Sequence, residues 1–150
     1  MTDICKFCTF LLDDFFFGVE VDRVQEVLRH QEMTRVPLAD DFIRGLINLR
    51  GQIVTAIDPR VLLGLPARQS EELPMNVVIR TEDGAVSLLV DDIDEVVEVD
   101  DTTFEPPPEN LDGRTRALIR GVHKFPDRLM LVLDVDSVLN SQTGAGRKSA

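Results

Sequence analysis

Slid against itself by 69 positions, the chain places Val21-Asp22-Arg23-Val24-Gln25-Glu26-Val27 on Val90-Asp91-Asp92-Ile93-Asp94-Glu95-Val96. The same offset puts Phe10 on Ile79, Asp14 on Asp83 and Pro37 on Pro106. Farther on the offset becomes 76: Ile43-Arg44-Gly45 falls on Ile119-Arg120-Gly121, and the register runs without a gap through Ile57-Asp58 on Leu133-Asp134 and Leu62-Leu63 on Val138-Leu139. A self-match of this kind means one supersecondary unit used twice. The seven extra residues fall in the Pro-rich stretch from Pro106 to Gly113, which reads as a longer loop in the second copy. The copies span roughly 4–64 and 74–140, and together they form one predicted domain over 1–150. A connector from Leu65 to Leu73 joins them, and a tail from Ser141 to Ala150, rich in small residues, is expected to be disordered.

Within the first copy, Cys5–Leu12, Phe15–Glu20, Gln25–His30, Leu46–Arg50 and Ile53–Asp58 are short, rich in Val, Ile, Leu and Phe, and bounded by turn residues. They read as strands. The second copy offers the equivalents, with Asp83-Gly84 and Pro126-Asp127 at its turns. Val21, Val24, Val27 and Leu28 have helical spacing, but barely two turns fit; a single turn at Asp22–Val24 feeding a strand is the expectation. Pro59–Leu63 and Val135–Leu139 read as short helices, Pro59 suiting the first turn. The predicted fold class is all-β: two five-stranded barrels from an internal duplication, since closing a small sheet removes its vulnerable edges.

Composition narrows function by exclusion. The formal net charge of −11 repels nucleic acid and anionic membrane surfaces, so neither is an expected partner. No apolar run approaches the roughly 20 residues of a membrane-spanning helix, and the acidic start MTDICKFCTFLLDD lacks the basic flank of a secretory signal. Cys5 and Cys8 have CxxC spacing but no second ligand pair, with His30 and His123 isolated; reduced core thiols are expected, with no metal. Residues three apart on a strand point to opposite faces, so the two thiols diverge.

The search for reactive constellations is negative. There is no phosphate-binding Gly-rich loop, no GxSxG and no HExxH. The acids Asp91, Asp92, Asp94, Glu95, Glu98, Asp100 and Asp101 alternate with Ile93, Val96, Val97 and Val99, which reads as a solvated strand face rather than a metal site. Such a face serves to steer a basic partner. Phe15-Phe16-Phe17 cannot all face one way on a strand, so at least one is exposed or covered by the other barrel.

The most informative segment is Phe42-Ile43-Arg44-Gly45-Leu46-Ile47-Asn48-Leu49-Arg50-Gly51. As a strand it puts Asn48 and Arg50 on one face, with Gly51 freeing the turn. The second copy has Lys124, Pro126 and Asp127 in place of Asn48, Arg50 and Gly51, so the barrel itself does not demand the first copy's choices. Arg50 is either a binding residue or a tie from a hairpin to a nearby carboxylate.

Asn48-Leu49-Arg50-Gly51 followed by Ile53-Val54 and Ile57-Asp58, and preceded by Val36-Pro37 and Phe42-Ile43-Arg44-Gly45, resembles the central signature of the CheW family. Val21 to Val27, Leu89-Val90-Asp91 and Leu131-Val132-Leu133-Asp134 resemble its flanking motifs, and the likeness covers about residues 5–140 in order. It implies two intertwined SH3-like barrels with a groove between them, and a non-enzymatic cytoplasmic adaptor that needs no cofactor. The implied partners are the tip of chemoreceptors and the regulatory domain of a CheA-type histidine kinase. A chain that is monomeric alone would assemble into rings with the kinase at membrane-bound receptor arrays. Carried over by position, the receptor groove involves Val21, Val24, Val27 and Arg50, with Cys8, while Gly45, Asn48 and Gly51 shape it. Pro59 departs from the leucine usual after Asp58.

Three other readings compete. A kinase regulatory domain shares the implied fold, but follows phosphotransfer and ATP-binding regions, which a chain starting at Met1 lacks. An adaptor of another receptor-like pathway, such as twitching, has the same sequence signature. A small metal-dependent enzyme using the 91–101 acids is the reading from a different class.

Overall fold

The computed structural model describes residues 4–66, 73–82 and 84–140. The expected disordered tail, most of the connector and Asp83 lie outside the described residues. Eleven strands follow in order among them: β1 (Ile4–Leu12), β2 (Phe15–Glu20), β3 (Val24–Leu28), β4 (Ile43–Leu49), β5 (Gln52–Ile57), β6 (Met75–Thr81), β7 (Gly84–Val90), β8 (Asp92–Asp100), β9 (Phe104–Glu105), β10 (Ile119–Lys124) and β11 (Leu129–Leu133). Helix α1 (Pro59–Leu63) follows β5, α2 (Gly113–Leu118) precedes β10, and the described part of α3 covers 135–140.

The strands form two antiparallel-rich sheets that exchange hairpins. One has the order β8-β1-β2-β11-β10-β9, the other β3-β6-β7-β5-β4. The β1–β2 hairpin of the first copy thus lies among strands of the second, and β6–β7 lies among strands of the first. In the six-stranded order the end strands, β8 and β9, are joined by the 3-10 turn Asp101–Thr103, so the sheet rolls up on itself. In the other sheet Thr34 does the work of β9: its N–H donates to the Leu46 carbonyl (2.9 Å) and its carbonyl accepts from the Leu46 N–H (2.8 Å).

The pairings repeat at the offsets of the sequence. Val24 opposes Ile79 as Ile93 opposes Phe10, and a register shift follows in both ladders. Thr55 runs parallel to Val86 as Leu131 does to Phe17. Ile43 opposes Ile57 as Ile119 opposes Leu133, again with a shift before Gly45 and Gly121. The core follows this plan. Phe10, Phe17 and Leu133 from one sheet meet Ile57, Ile79 and Leu88 from the other in a shared cluster. A smaller cluster fills each barrel: Ile47, Val54 and Leu89 in one, Phe7, Phe16 and Met130 in the other.

Local chemistry explains the ends of the elements. Asp58 caps α1 by accepting from the Arg60 N–H (3.0 Å), Pro59 takes the first helical position, and Gly64 closes the helix at φ 73°. The proline therefore leaves the short helix intact. The single turn before β3 is a 3-10 turn at Val21–Arg23, one residue earlier than expected, and the second copy replaces it by a bend at Asp91. The Pro-rich stretch is loop from 106 to 112, as expected. It leads into α2, capped by Asp112, whose Leu118 enters the shared core where the first copy places Phe42.

Candidate functional site

Arg50 is not on a strand. Leu49 opposes Gln52, so Arg50 and Gly51 form a two-residue turn, with φ of 52° and 91°. Two left-handed residues are what the right-handed twist of a tight hairpin requires. The expected sharing of a strand face by Asn48 and Arg50 therefore fails; instead the Asn48 side-chain oxygen accepts from the Gly51 N–H (2.9 Å) and fastens the turn. Nothing lies near a β-carbon built on Gly51, so glycine serves the backbone angle there and not space. Gly45 is the reverse case: a β-carbon would stand 2.8 Å from the Thr34 carbonyl oxygen, where that segment closes the barrel.

From the turn, the Arg50 guanidinium donates to the Glu26 carboxylate on β3, while its side chain stays 69% exposed. The tip of the β4–β5 hairpin is thereby held beside β3, the strand of Val24 and Val27. These valines differ. Val27 is exposed, Val24 packs partly against the shared core, and Val21 is half-buried in the 3-10 turn. Cys8 lies in the other sheet between Val19 and Val96, on the strand against which that turn rests. Burial pushes the Cys8 thiol up from its ordinary pKa, away from the reactive thiolate. Cys5 is exposed rather than core, because it sits near the start of β1. Both thiols are free.

The structure thus brings Val21, Val24, Val27 and Arg50 onto one stretch of chain and the hairpin tied to it, with Gly45, Asn48 and Gly51 shaping that hairpin. Two clefts, of about 400 and 480 Å³, are lined by other residues: one by Arg23, Arg120 and Asp136 among others, the second by the 35–44 segment. Among the described residues, no group of three or more His, Cys, Asp or Glu side chains could hold a metal ion. The acids of β8 are mostly exposed, and no described helix is long and apolar enough to cross a membrane.

Sequence reasoning missed the second copy's version of the arginine tie. Arg128, on the far side of the β10–β11 turn, reaches Asp94 on β8 at 3.4 Å and lies 3.6 Å above the Phe16 ring. Each barrel therefore ties a hairpin-tip arginine to its neighbouring strand, and each exposes the same pair of apolar positions: Val27 and Ile53 in one, Val96 and Leu129 in the other. The repeat offsets held this information, since they map Val27 on Val96 and Ile53 on Leu129. Of the three phenylalanines, Phe15 is exposed, Phe16 fills the six-stranded barrel and Phe17 enters the shared core.

Comparison with known proteins agrees with this architecture. The family model described as CheW-like domain matches residues 6–143. The chain is 29% identical to the chemotaxis protein CheW of Bacillus subtilis, over 92% of this chain and 88% of that one. Identity to CheW of Helicobacter pylori is 27%, covering 91% and 82% respectively. The crystal structure of the scaffolding protein CheW from Thermoanaerobacter tengcongensis superposes with a TM-score of 0.78 at 28% identity, covering 88% of this chain and 90% of that one. With its exchanged hairpins and repeated ladders, the chain belongs to the CheW-like domain family, as a non-catalytic scaffolding adaptor of chemotaxis.

Proposed function

We propose that this protein couples the cytoplasmic tip of chemoreceptors to the regulatory domain of a CheA-type histidine kinase, in the cytoplasm at membrane-bound arrays. Residues 4–140 act as one unit, monomeric alone and ring-forming with the kinase. The observation that carries the reading is the exposed Val27 on β3, the strand to which the Arg50 hairpin is tied through Glu26. Exposed apolar side chains and a largely exposed guanidinium, on one strand and the hairpin tied to it, suit an amphipathic receptor helix. Val21 and Cys8 extend this surface toward the other barrel, and Val24 supports it from the core side. The matching Val96 and Leu129 give the second barrel a similar apolar surface, which suits a protein that must hold two partners at once.

The test is calorimetric titration of the purified protein with a cognate receptor tip and, separately, with the kinase regulatory domain. Arg50→Ala and Val27→Asp are the informative variants. Val24→Asp is not, because it would put a charge against the shared core. Loss of receptor binding with kinase binding intact is the expected result. Wild-type protein that bound neither partner would leave the adaptor role without these partners.

A further inference from the structure

The two copies meet at two corners related by the repeat offsets, and the charges at those corners are inverted. At the first, Arg60 of α1 is 5% exposed. Its guanidinium donates to Asp91 (Nε–Oδ1 3.3 Å, Nη2–Oδ2 2.5 Å), to Asp13 (2.9 Å) and to the Pro66 carbonyl (2.7 Å). Asp91 Oδ2 also accepts from the Asp13 N–H (2.7 Å), and the Asp91 N–H donates to the Leu11 carbonyl (3.0 Å). Helix, hairpin and β7–β8 bend are bound around one buried cation.

At the second corner the equivalent positions are Asp136, Glu82 and Asp22, all acidic. No clamp can form from three carboxylates. What stands there is the ion pair Arg23–Asp136 (3.1 Å), whose side chains are 31% and 74% exposed. The 3-10 turn Val21–Arg23 has no buried residue. It is also held by hydrogen bonds with Arg80: Arg80 Nη1 to the Asp22 carbonyl (2.9 Å) and Arg23 Nη2 to the Arg80 carbonyl (3.5 Å). Glu20, just before it, pairs with Arg120 through side chains that are 34% and 52% exposed. The cleft of about 400 Å³ opens at this corner, with Arg23 and Asp136 on its walls.

We infer that the chain is pinned at the Arg60 corner and hinged at the Arg23–Asp136 corner, so that the turn carrying Val21 is an adjustable edge whose position α3 controls. A buried, multiply bonded guanidinium is little affected by salt, whereas an exposed pair is screened. The consequence for receptor binding rests on the proposed groove; the hinge itself does not.

Hydrogen–deuterium exchange on the full chain tests it, without any partner present. Asp136→Asn and Arg23→Gln are each expected to speed exchange over 20–24 by about two- to five-fold, the range an exposed ion pair supplies, and to leave 11–14 and 58–63 unchanged. Raising salt from about 0.05 to 0.5 M should produce the same local change in the wild type and little more in the variants. Unchanged exchange over 20–24, or equal acceleration at both corners, overturns the hinge. Titrating the receptor tip into Asp136→Asn separates the two ideas: altered exchange with unaltered affinity keeps the hinge and removes Val21 from the groove.

Discussion

Gly45 passes so close to Thr34 that a β-carbon on it would stand 2.8 Å from the Thr34 carbonyl oxygen and 2.9 Å from the Met33 Cβ. Both neighbours belong to the segment that closes the five-stranded barrel, and the obstructing oxygen is main chain, so it cannot swing aside. Gly121, its equivalent, faces the Glu105 carbonyl oxygen at 2.5 Å in the other barrel. Gly45→Ala should therefore destabilise the fold by about 1–3 kcal/mol, the usual range for overpacking. Urea unfolding at equilibrium checks it. Gly51→Ala, where only the backbone angle is at stake, should cost about 1 kcal/mol.

Arg60→Met should be the most damaging single polar change. It removes the cation around which Asp13 and Asp91 are arranged, leaving a part-buried carboxylate at 22% side-chain exposure beside another at 33%. Breaking a fully buried pair costs about 3–5 kcal/mol, and the partial access of these acids reduces the expectation to about 2–3 kcal/mol. Burial draws the Arg60 guanidinium down, but the hydrogen bonds and charge of Asp91, then Asp13, outweigh it and hold it above its ordinary value. The Arg60 guanidinium thus stays charged at any pH the fold survives. Thermal unfolding of Arg60→Met beside Lys6→Met, which loses only an exposed contact to Glu98, isolates the effect.

Acid should weaken the six-stranded barrel through His123. The imidazole is buried between the rings of Phe7 and Phe104, its Nδ1 2.9 Å from the Thr103 hydroxyl. Burial lowers its pKa below the ordinary 6.5, with Asp101 and Asp100 opposing in part. The unfolded chain therefore binds a proton more readily, and stability declines as pH falls from about 6.5 through the lowered value. Asp100 acts in a separate window: hydrogen bonds from Thr102 hold it below 3.8, so its contribution is lost only at lower pH. Denaturation midpoints at pH 7.5 and 5.5 should differ for the wild type and converge in His123→Phe. Equal sensitivity in that variant would place the proton uptake elsewhere.

The strands were legible because their apolar runs are short and punctuated by turn residues, and the offsets mapped not only residues but their ladder partners. Arg50 was misplaced for a local reason. Alternation continues through Leu49, and only the hairpin twist, which demands two positive φ values, assigns Arg50 to the turn. Helix α2 escaped because six residues after a run of prolines carry no periodicity. The Arg128–Asp94 tie was hidden because its arginine sits two positions beyond the residue aligned with Arg50, and its acid aligns with Gln25 rather than Glu26. Exposure separated Val27 from Val24, a distinction spacing alone does not contain.

The exchange of hairpins sets an order of assembly. The five-stranded barrel uses β3 to β7 and is complete in sequence by Val90, while the six-stranded barrel needs both β1 and β11 and waits for Leu133. As the chain leaves the ribosome, the internal barrel is expected to close first, with the β1–β2 hairpin waiting unpaired on its outer edges for strands not yet made. Strands made before the internal barrel are then among the last to find their partners.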